Sequence, residues 1–243
     1  MRTDEQDIYA CYGPRHWWLT GRYAIIRSLF RQYCRRGSSR LLDAGCGPAV
    51  LRSFIRETDA PEYTGIDVSL HGLRLACADK EDKPFAAGDL TSLPLRDSQY
   101  DAVAAVDVIE HIKDDSRALR EVRRVLRPAG KVFLCVPAFQ FLWAAYDDRY
   151  GHYRRYTKQS LGSLLEDNGF TIRDIVYGQT LFFLPALIMR RMKQKEHSAD
   201  SGFTHVSRLS NLILHAIMLL DFYIFRKIRL PFGCNIFCVA EKR

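Results

Sequence analysis

The chain reads Asp43-Ala44-Gly45-Cys46-Gly47-Pro48-Ala49 directly after the short apolar run of residues 40–44. Glycine lets a backbone turn sharply and lets a ligand come close to the main chain, and the start of a following helix offers free N–H groups. Dinucleotide-binding loops read GxGxxG and hold a pyrophosphate on such groups. Here an acid precedes the glycines, and a carboxylate repels phosphate but attracts a cationic or amino-bearing ligand. The loop therefore indicates a ligand with a positive group at this turn.

A second acid extends this interpretation. Asp67 lies near the end of the apolar run 62–68, 24 residues after Asp43. In nucleotide-binding α/β proteins, a carboxylate in this region accepts hydrogen bonds from the ribose hydroxyls. Together, the loop and this acid predict a nucleoside ligand without phosphates.

Apolar periodicity predicts alternating strands and helices around the loop. The predicted strands are 40–44, 62–68, 84–88, 100–106, 131–136, 170–176 and 235–240, and the predicted helices are 16–36, 50–56, 70–78, 116–126, 158–168, 181–192 and 209–228. This alternation favours a mostly parallel sheet covered on both faces, with ligands outside the carboxyl ends of its strands. We expect an α/β, Rossmann-like, doubly wound sheet of seven strands. The expected divisions are an N-terminal helical arm or lid at 1–39, a cofactor-binding core at 40–177, a helical insertion at 178–233 and the last strand at 234–243.

Five short motifs follow one another in the order and spacing of a known family. They are Leu41–Val50, Gly65-Ile66-Asp67, Gly88-Asp89-Leu90, Tyr100–Ile112 and Leu126-Arg127-Pro128-Ala129-Gly130. The chain resembles the class I S-adenosylmethionine-dependent methyltransferases over about residues 40–177 and the final strand. Within them it resembles a type 11-like subgroup associated with bacterial glycans and natural products. Two positions depart from the pattern, since alanine replaces the usual third glycine of the loop and the usual Pro-Gly-Gly reads Pro-Ala-Gly.

The resemblance implies S-adenosylmethionine as cofactor and S-adenosylhomocysteine as product. It implies that Asp43 and Gly45 face the methionine amino group, that Asp67 holds the ribose and that Asp89 accepts from the adenine amine. The full expected cofactor set, in which Gly47 faces the adenosine and Leu90 the adenine ring, is Asp43, Gly45, Gly47, Asp67, Val68, Asp89, Leu90 and Asp107.

Asp107, Glu110 and His111 follow the predicted strand 100–106 at positions that share one helical face. Such a set could bind a hard divalent metal, and ubiquinone-pathway O-methyltransferases are similar here, with an acid-x-x-Glu-His arrangement on a metal. The alternative is that Glu110-His111 caps the helix or closes the pocket. We favour this alternative, so no metal is predicted, and His111 is kept as a catalytic candidate.

The long stretch 139–157 follows the predicted strand 131–136 and is expected to pass over the cofactor. Long loops in compact domains usually carry function. His152 is the candidate general base, because the unperturbed pKa of histidine lies near neutrality. The two arginines after it could bind an acidic group of the acceptor or only pin the loop, and the His16-Trp17-Trp18 segment could fold over the pocket or only fill the core. The expected acceptor-binding residues are Trp17, Trp18, Trp143, Tyr146, Arg154, Arg155 and Tyr156.

Two strongly apolar helices are predicted in the insertion, at 181–192 and 209–228, with a polar, flexible stretch 193–208 between them. The first is too short to span a membrane, which takes about 20 residues, and the second contains His215 and Asp221, so we expect neither to span. Three alternatives remain for their apolar surface: a roof over the acceptor pocket, a homodimer interface, or contact with an anionic membrane. The first two are favoured over peripheral membrane contact.

Composition and charge narrow the function. The chain has 243 residues and a net charge of +8, without a long Lys/Arg block, so specific nucleic-acid binding is not expected. Seven cysteines and no apolar leader at the start predict a cytoplasmic protein, with contact at the inner face of the membrane as an alternative. The predicted function is O-methylation of a small-molecule, saccharide or lipid-linked acceptor. The main alternative is a non-catalytic cofactor-binding accessory protein, and RNA or DNA methylation is less favoured.

Overall fold

A computed structural model describes residues 16–34, 39–55, 59–78, 84–193 and 206–243. Seven strands form one sheet, namely β1 (Arg40–Ala44), β2 (Glu62–Asp67), β3 (Phe85–Ala87), β4 (Tyr100–Val106), β5 (Leu126–Pro137), β6 (Phe170–Gly178) and β7 (Asn235–Lys242). Their order is β3-β2-β1-β4-β5-β7-β6. The first five strands in this order pair in parallel, and β7 runs antiparallel to both of its neighbours. The predicted doubly wound, mostly parallel sheet is confirmed.

Helices cover both faces of the sheet and enclose one hydrophobic core on each. They are α1 (Trp17–Tyr33), α2 (Val50–Phe54), α3 (Leu70–Ala78), α4 (Asp115–Val125), α5 (Ala145–Arg149), α6 (Lys158–Asp167), α7 (Phe183–Lys193) and α8 (Arg208–Ile228). One core packs α4 and α6 against the sheet. The other packs α1, α2 and the inner side of α8 against the opposite face. Because β1, β2, β4 and β5 are adjacent and parallel, the loops after them meet at one edge.

The start of β5 and the structure of the stretch 139–157 differ from the sequence prediction. β5 begins at Leu126 rather than at 131, because Tyr100 pairs with Leu126 before the register shifts to Ala102 and Lys131. The stretch 139–157 is not a continuous loop, since it contains a 3-10 turn at Gln140–Leu142 and then α5. Most of the polar stretch expected to be flexible, at 194–205, lies outside the described residues, as does the start of the arm at 1–15.

The N-terminal helix and the insertion form one packed unit on the sheet. Trp17 stacks on Phe182, with ring centroids 5.0 Å apart. A Cβ built on Gly21 would lie 2.5 Å from the sulfur of Met218, so α1 and α8 approach closely. With 21 mostly apolar residues, α8 is long and apolar enough to cross a membrane. Core helices of soluble proteins share this length and composition. In α8, however, only 17% of the most apolar 18-residue stretch is buried.

Candidate active site

The glycine-rich turn after β1 has the sharply turning, positive-φ backbone that its glycines allow. Gly45 and Gly47 have φ of 75° and 50°, which glycine adopts without steric cost. A Cβ on Gly45 would lie 2.5 Å from Val108, so the turn also touches the segment that follows β4. Ala49 holds the left-handed conformation, with φ of 56°, at the position where the family pattern has glycine. The turn is therefore a close-fitting backbone cradle, and residues 43–49 contain no Lys or Arg to bind phosphate.

Asp67 organises this cradle from the end of β2. Its two carboxylate oxygens accept hydrogen bonds from the backbone N–H groups of Gly47 and Ser69, each at 2.7 Å. The residue is 6% exposed. Each carboxylate oxygen has a second lone pair, so the fixed carboxylate can also accept from ribose hydroxyls. Val68, next to it, is an exposed apolar side chain.

Asp43 lies at the end of β1, buried and close to other acids. Tyr63 donates a hydrogen bond to its carboxylate. Burial raises the pKa of Asp43 to about 7, the Tyr63 hydrogen bond lowers it, and the charge of Asp67 raises it further. A bound ammonium group would stabilise the ionised carboxylate. The site thus favours a cationic ligand at the place where the resemblance puts the methionine amino group.

The expected adenine contacts lie after β3. Asp89 is exposed and accepts hydrogen bonds from the backbone and hydroxyl of Thr91, at 2.7 and 2.9 Å. Leu90 is buried. An exposed acid beside a buried leucine is compatible with an adenine amine and ring, respectively.

Asp107 lies after β4 and is paired with the N-terminal helix. Its carboxylate lies 2.7 Å from the guanidinium of Arg22, and the same guanidinium group donates to the carbonyl of Trp18 at 3.1 Å. This ion pair ties α1 to the edge of the sheet where the loops meet. The sequence spacing allows a metal site made of Asp107, Glu110 and His111. In the structure the Asp107 carboxylate is instead engaged by Arg22.

The described residues instead bring together Glu110, His111 and His152, whose potential ligand atoms all lie within 4.8 Å of one another. Burial raises the pKa of Glu110 well above its usual range and lowers that of His111 to about 4. The backbone N–H of Tyr153 donates to the carbonyl of Glu110 at 2.8 Å, which holds the 150–153 segment over the end of β4. Both predicted catalytic histidines therefore lie at the same edge of the sheet as the glycine-rich turn.

His152 is oriented by a buried carboxylate that the sequence analysis missed. Its Nδ1 lies 2.8 Å from Asp147 Oδ1. Asp147 is fully buried and accepts two hydrogen bonds from Arg155, at 2.9 and 3.0 Å, and one from the backbone of Ala144. These partners lower the pKa of Asp147 against the opposing effect of burial. The arrangement is an imidazole held at one nitrogen by an ionised acid.

The basic and aromatic residues of the same segment bind the chain itself. Arg155 is buried against Asp147, and Arg154 pairs with Asp115 at 2.6 Å and with the carbonyl of Lys113. Tyr156 is buried and donates to Asp115 at 2.9 Å. These contacts fit the alternative in which the arginines pin the segment.

Aromatic rings surround His152. Tyr146 and Trp143 lie edge-on to its imidazole, with centroids 5.6 and 6.5 Å away. Tyr146 is partly exposed, at 36%. Trp17 is buried in the core and stacks on Phe182, whereas Trp18 lies beneath the Arg22 guanidinium, 5.2 Å from it. Trp18, Trp143 and Tyr146 are thus the predicted acceptor residues whose placement suits that role best.

Tyr63, Arg22 and Asp147 were not singled out as site residues by their type or spacing. Each acts through a partner on another element, so the sequence held no local signal for it. The Asp147-Asp148 pair was visible as two acids in a long segment, but only the helical turn of α5 decides which of them meets His152.

Sequence comparison relates the chain to known methyltransferases. The methyltransferase domain family matches residues 42–134. A candidate methyltransferase of Encephalitozoon cuniculi is 31% identical over 182 residues, which are 66% of this chain and 80% of that protein. The malonyl-[acyl-carrier protein] O-methyltransferase of Pseudescherichia vulneris is 32% identical over 120 residues, or 47% of either chain, so this chain spans about half of that relative's length.

The solved structures agree on the fold. A chain from the complex of the Haloferax volcanii Trm112 methyltransferase activator with a candidate methyltransferase has a TM-score of 0.66 at 18% identity. The match covers 100% of this chain and 99% of that chain. Three features fit S-adenosylmethionine: a glycine cradle without Lys or Arg, Asp67 at the end of β2, and the buried Asp43, which favours a cation. The chain belongs to the class I S-adenosylmethionine-dependent methyltransferases.

Proposed function

We propose that the chain transfers a methyl group from S-adenosylmethionine to a hydroxyl of an apolar small-molecule, saccharide or lipid-linked acceptor. The observation that carries the oxygen assignment is the 2.8 Å contact between His152 Nδ1 and Asp147. A hydroxyl must lose a proton as it attacks, and an imidazole held by a carboxylate is a common general base. The O-methyltransferase name of one relative agrees with this class of reaction.

The cofactor supplies an activated methyl group on a sulfonium, and its displacement leaves a neutral thioether. The glycine-rich turn and Asp67 hold the nucleoside, and Asp43 holds the amino group. His152 Nε2 accepts the hydroxyl proton, while Asp147 stabilises the imidazolium that forms. Trp143 and Tyr146 exclude water from the line of transfer, so that orientation does most of the catalytic work.

Replacing the base tests this assignment. We expect His152→Ala to lower kcat by about 10²- to 10⁴-fold, the usual contribution of a positioned base, with little change in S-adenosylhomocysteine affinity. The measurement is S-adenosylhomocysteine formation with a panel of apolar and glycosidic alcohols. Tyr153→Phe is the matched control, because the Tyr153 side chain is next to His152 in sequence, is 54% exposed and has no assigned role. Equal kcat for His152→Ala and wild type would rule out this base.

A non-catalytic accessory protein is the second candidate. The left-handed Ala49 in the cofactor turn favours it. It predicts cofactor binding without turnover of any acceptor, so detection of S-adenosylhomocysteine formation eliminates it.

The outer surface of the insertion supports a lipid-linked acceptor at a membrane. Apolar side chains are exposed at three- and four-residue spacing along α8, at Leu209, Ile213, Ile217, Leu220, Ile224 and Ile228. Leu212 on α8 widens this stripe, which we name the apolar face, and α7 also exposes Leu184 and Ile188. Arg208, Lys227 and Arg229 are exposed at the ends of α8. An apolar stripe with basic ends complements an anionic bilayer surface, and we place the protein at the inner face of the membrane.

A further inference from the structure

The site contains a second arrangement that the proposed base does not explain. Glu110, His111 and His152 present ligand atoms within 4.8 Å of one another. The two imidazole rings stand edge to face, with centroids 4.5 Å apart and planes at 85°. Two imidazoles and one carboxylate, with positions left for water or substrate, form the ligand set typical of catalytic transition-metal sites.

The outer hydrogen bonds of both histidines match those of metal ligands. His111 Nδ1 lies 2.9 Å from the carbonyl oxygen of Tyr150, and His152 Nδ1 lies 2.8 Å from the carboxylate of Asp147. A carbonyl oxygen only accepts, so His111 Nδ1 must carry the proton. Metal-bound histidines almost always donate one ring N–H to a carbonyl or carboxylate, which leaves Nε2 as the ligand atom. Each ring is thus left with Nε2 as its available ligand atom.

Glu110 supplies the independent observation. Its side chain is 0% exposed, and among the described residues neither carboxylate oxygen has a hydrogen-bond partner. A buried polar group without a partner costs free energy, and a buried charge needs a partner or a metal. A cation bound between the carboxylate and the two imidazoles would satisfy it.

Asp107 shows why this set differs from the one that sequence spacing suggested. Its carboxylate is engaged by Arg22 at 2.7 Å. His152, which comes from the segment after β5, stands at the cluster instead. The ligands therefore come from two loops at the same edge of the sheet, a combination that spacing along one helix could not indicate.

We propose that Glu110, His111 and His152 bind one divalent transition-metal ion, with zinc favoured over magnesium because two of the ligands are imidazoles. The proposal rests on the proposed O-methylation for its catalytic meaning. A bound ion, held by Glu110, His111 and His152, would supply a Lewis acid that lowers the pKa of the acceptor hydroxyl. The O–H bond breaks with its proton passing to solvent, the oxygen forms the bond to the methyl carbon, and the C–S electron pair stays on sulfur. With an ion bound, His152 Nε2 would be a ligand positioned by Asp147, so the ion would replace His152 as the group that promotes loss of the hydroxyl proton, and His152 would act as the general base only in the metal-free protein.

Calorimetric titration of Zn²⁺ into chelator-stripped, full-length protein tests the site, with the visible absorption of bound Co²⁺ as a second readout. Wild type is expected to bind one ion per chain. Glu110→Gln and His152→Ala are each expected to weaken Zn²⁺ binding by more than about 100-fold, since loss of even an outer partner costs about 10- to 100-fold. Asp147→Asn, which removes only an outer partner, is expected to weaken Zn²⁺ binding by about 10- to 100-fold. His215→Ala, a histidine on α8 that contacts Thr20, is expected to bind Zn²⁺ as wild type does.

S-adenosylhomocysteine titration of every variant separates metal loss from misfolding and from failure of the methyltransferase assignment. Glu110→Gln keeps the shape of the side chain and should still bind S-adenosylhomocysteine. Failure of wild type to bind Zn²⁺, or equal Zn²⁺ affinity in wild type, Glu110→Gln and His152→Ala, would overturn the metal site. A stripped protein that binds S-adenosylhomocysteine and methylates an alcohol in chelator, yet binds no Zn²⁺, overturns the metal proposal and leaves the proposed function standing.

Discussion

Asp43 is the residue whose ionisation is most closely linked to cofactor binding. Its pKa is raised to about 7 by burial and by Asp67, against the effect of the Tyr63 hydrogen bond. Cys46 also lies in its electrostatic surroundings. An acid with a raised pKa is neutral below that value and charged above it. Because an ammonium group binds the charged form, affinity for an amino-bearing ligand must fall as the pH drops through 7.

We therefore expect the affinity for S-adenosylhomocysteine to decrease about tenfold from pH 8 to pH 6, as the ionised fraction of a group with a pKa near 7 falls by about that factor. Calorimetry across this range is the measurement. Asp43→Asn should bind more weakly at pH 8 and lose most of the pH dependence. A wild-type affinity that is constant from pH 8 to pH 6 would contradict this account of Asp43.

Single residues were predictable where the chemistry is local. The acid before the glycines and the acid 24 residues later could be picked out from type and spacing alone. The partners that tune them could not, because Tyr63, Arg22 and Asp147 meet their targets only after the strands and helices are assembled. A further difference is Arg155, whose expected acceptor contact is replaced by a buried pair with Asp147.

At the scale of elements, α8 is fastened to the end of β6 by one buried acid. Asp221 is 1% exposed and accepts hydrogen bonds from the backbone N–H groups of Thr180 and Leu181, at 2.9 and 2.7 Å. Burial raises its pKa, whereas these backbone donors lower it. The contact fixes the point at which the chain leaves the sheet and enters the insertion.

Asp221→Ala is expected to lower the free energy of unfolding by about 2–6 kcal/mol, because two backbone donors lose their acceptor at a cost of about 1–3 kcal/mol each. Chemical denaturation measures it. Asp221→Asn is the matched comparison, since its single amide oxygen can replace only one of the two acceptor oxygens, and its loss should lie between wild type and Asp221→Ala. Equal stability of Asp221→Ala and wild type would show that this contact does not hold α8.

Elements were predictable where periodicity is strong. The alternation of apolar runs predicted all seven strands and every long helix, with bounds within about three residues except at the start of β5. The start of β5 was missed because Arg127-Pro128-Ala129-Gly130 looks like a loop, and pairing of Tyr100 with Leu126 overrides that composition. Helix α5 was missed because a five-residue helix is too short for its apolar pattern to be distinguished from a loop.

At the scale of the whole molecule, the apolar face and the net charge of +8 act together. We expect the protein to sediment with anionic vesicles and to be released by salt, because basic residues contribute about 1 kcal/mol each near an anionic surface. Leu212→Glu with Leu220→Glu should reduce vesicle binding by at least about 100-fold, since burying each leucine contributes about 1.5–3 kcal/mol.

The control adds the same two charges elsewhere. Gln159→Glu with Ser163→Glu places them at exposed positions of α6, and this variant should retain most of the vesicle binding. The alternative result is a wild-type protein that does not bind vesicles but forms a dimer, which Leu212→Glu with Leu220→Glu dissociates. That result would assign the apolar face to a second copy of the chain.

The central claim is that the edge formed by the turn after β1 and Asp67 binds the cofactor. Calorimetric titration of S-adenosylhomocysteine into wild type, Asp67→Ala and the control Asp97→Ala tests it most directly, since the Asp97 side chain is 74% exposed. We expect one site per chain in wild type and in Asp97→Ala. In Asp67→Ala we expect binding weaker by about 100-fold or more, because hydrogen bonds to a charged group contribute about 1.5–3 kcal/mol each. Absence of binding to wild type, or equal affinity in wild type and Asp67→Ala, would contradict the account.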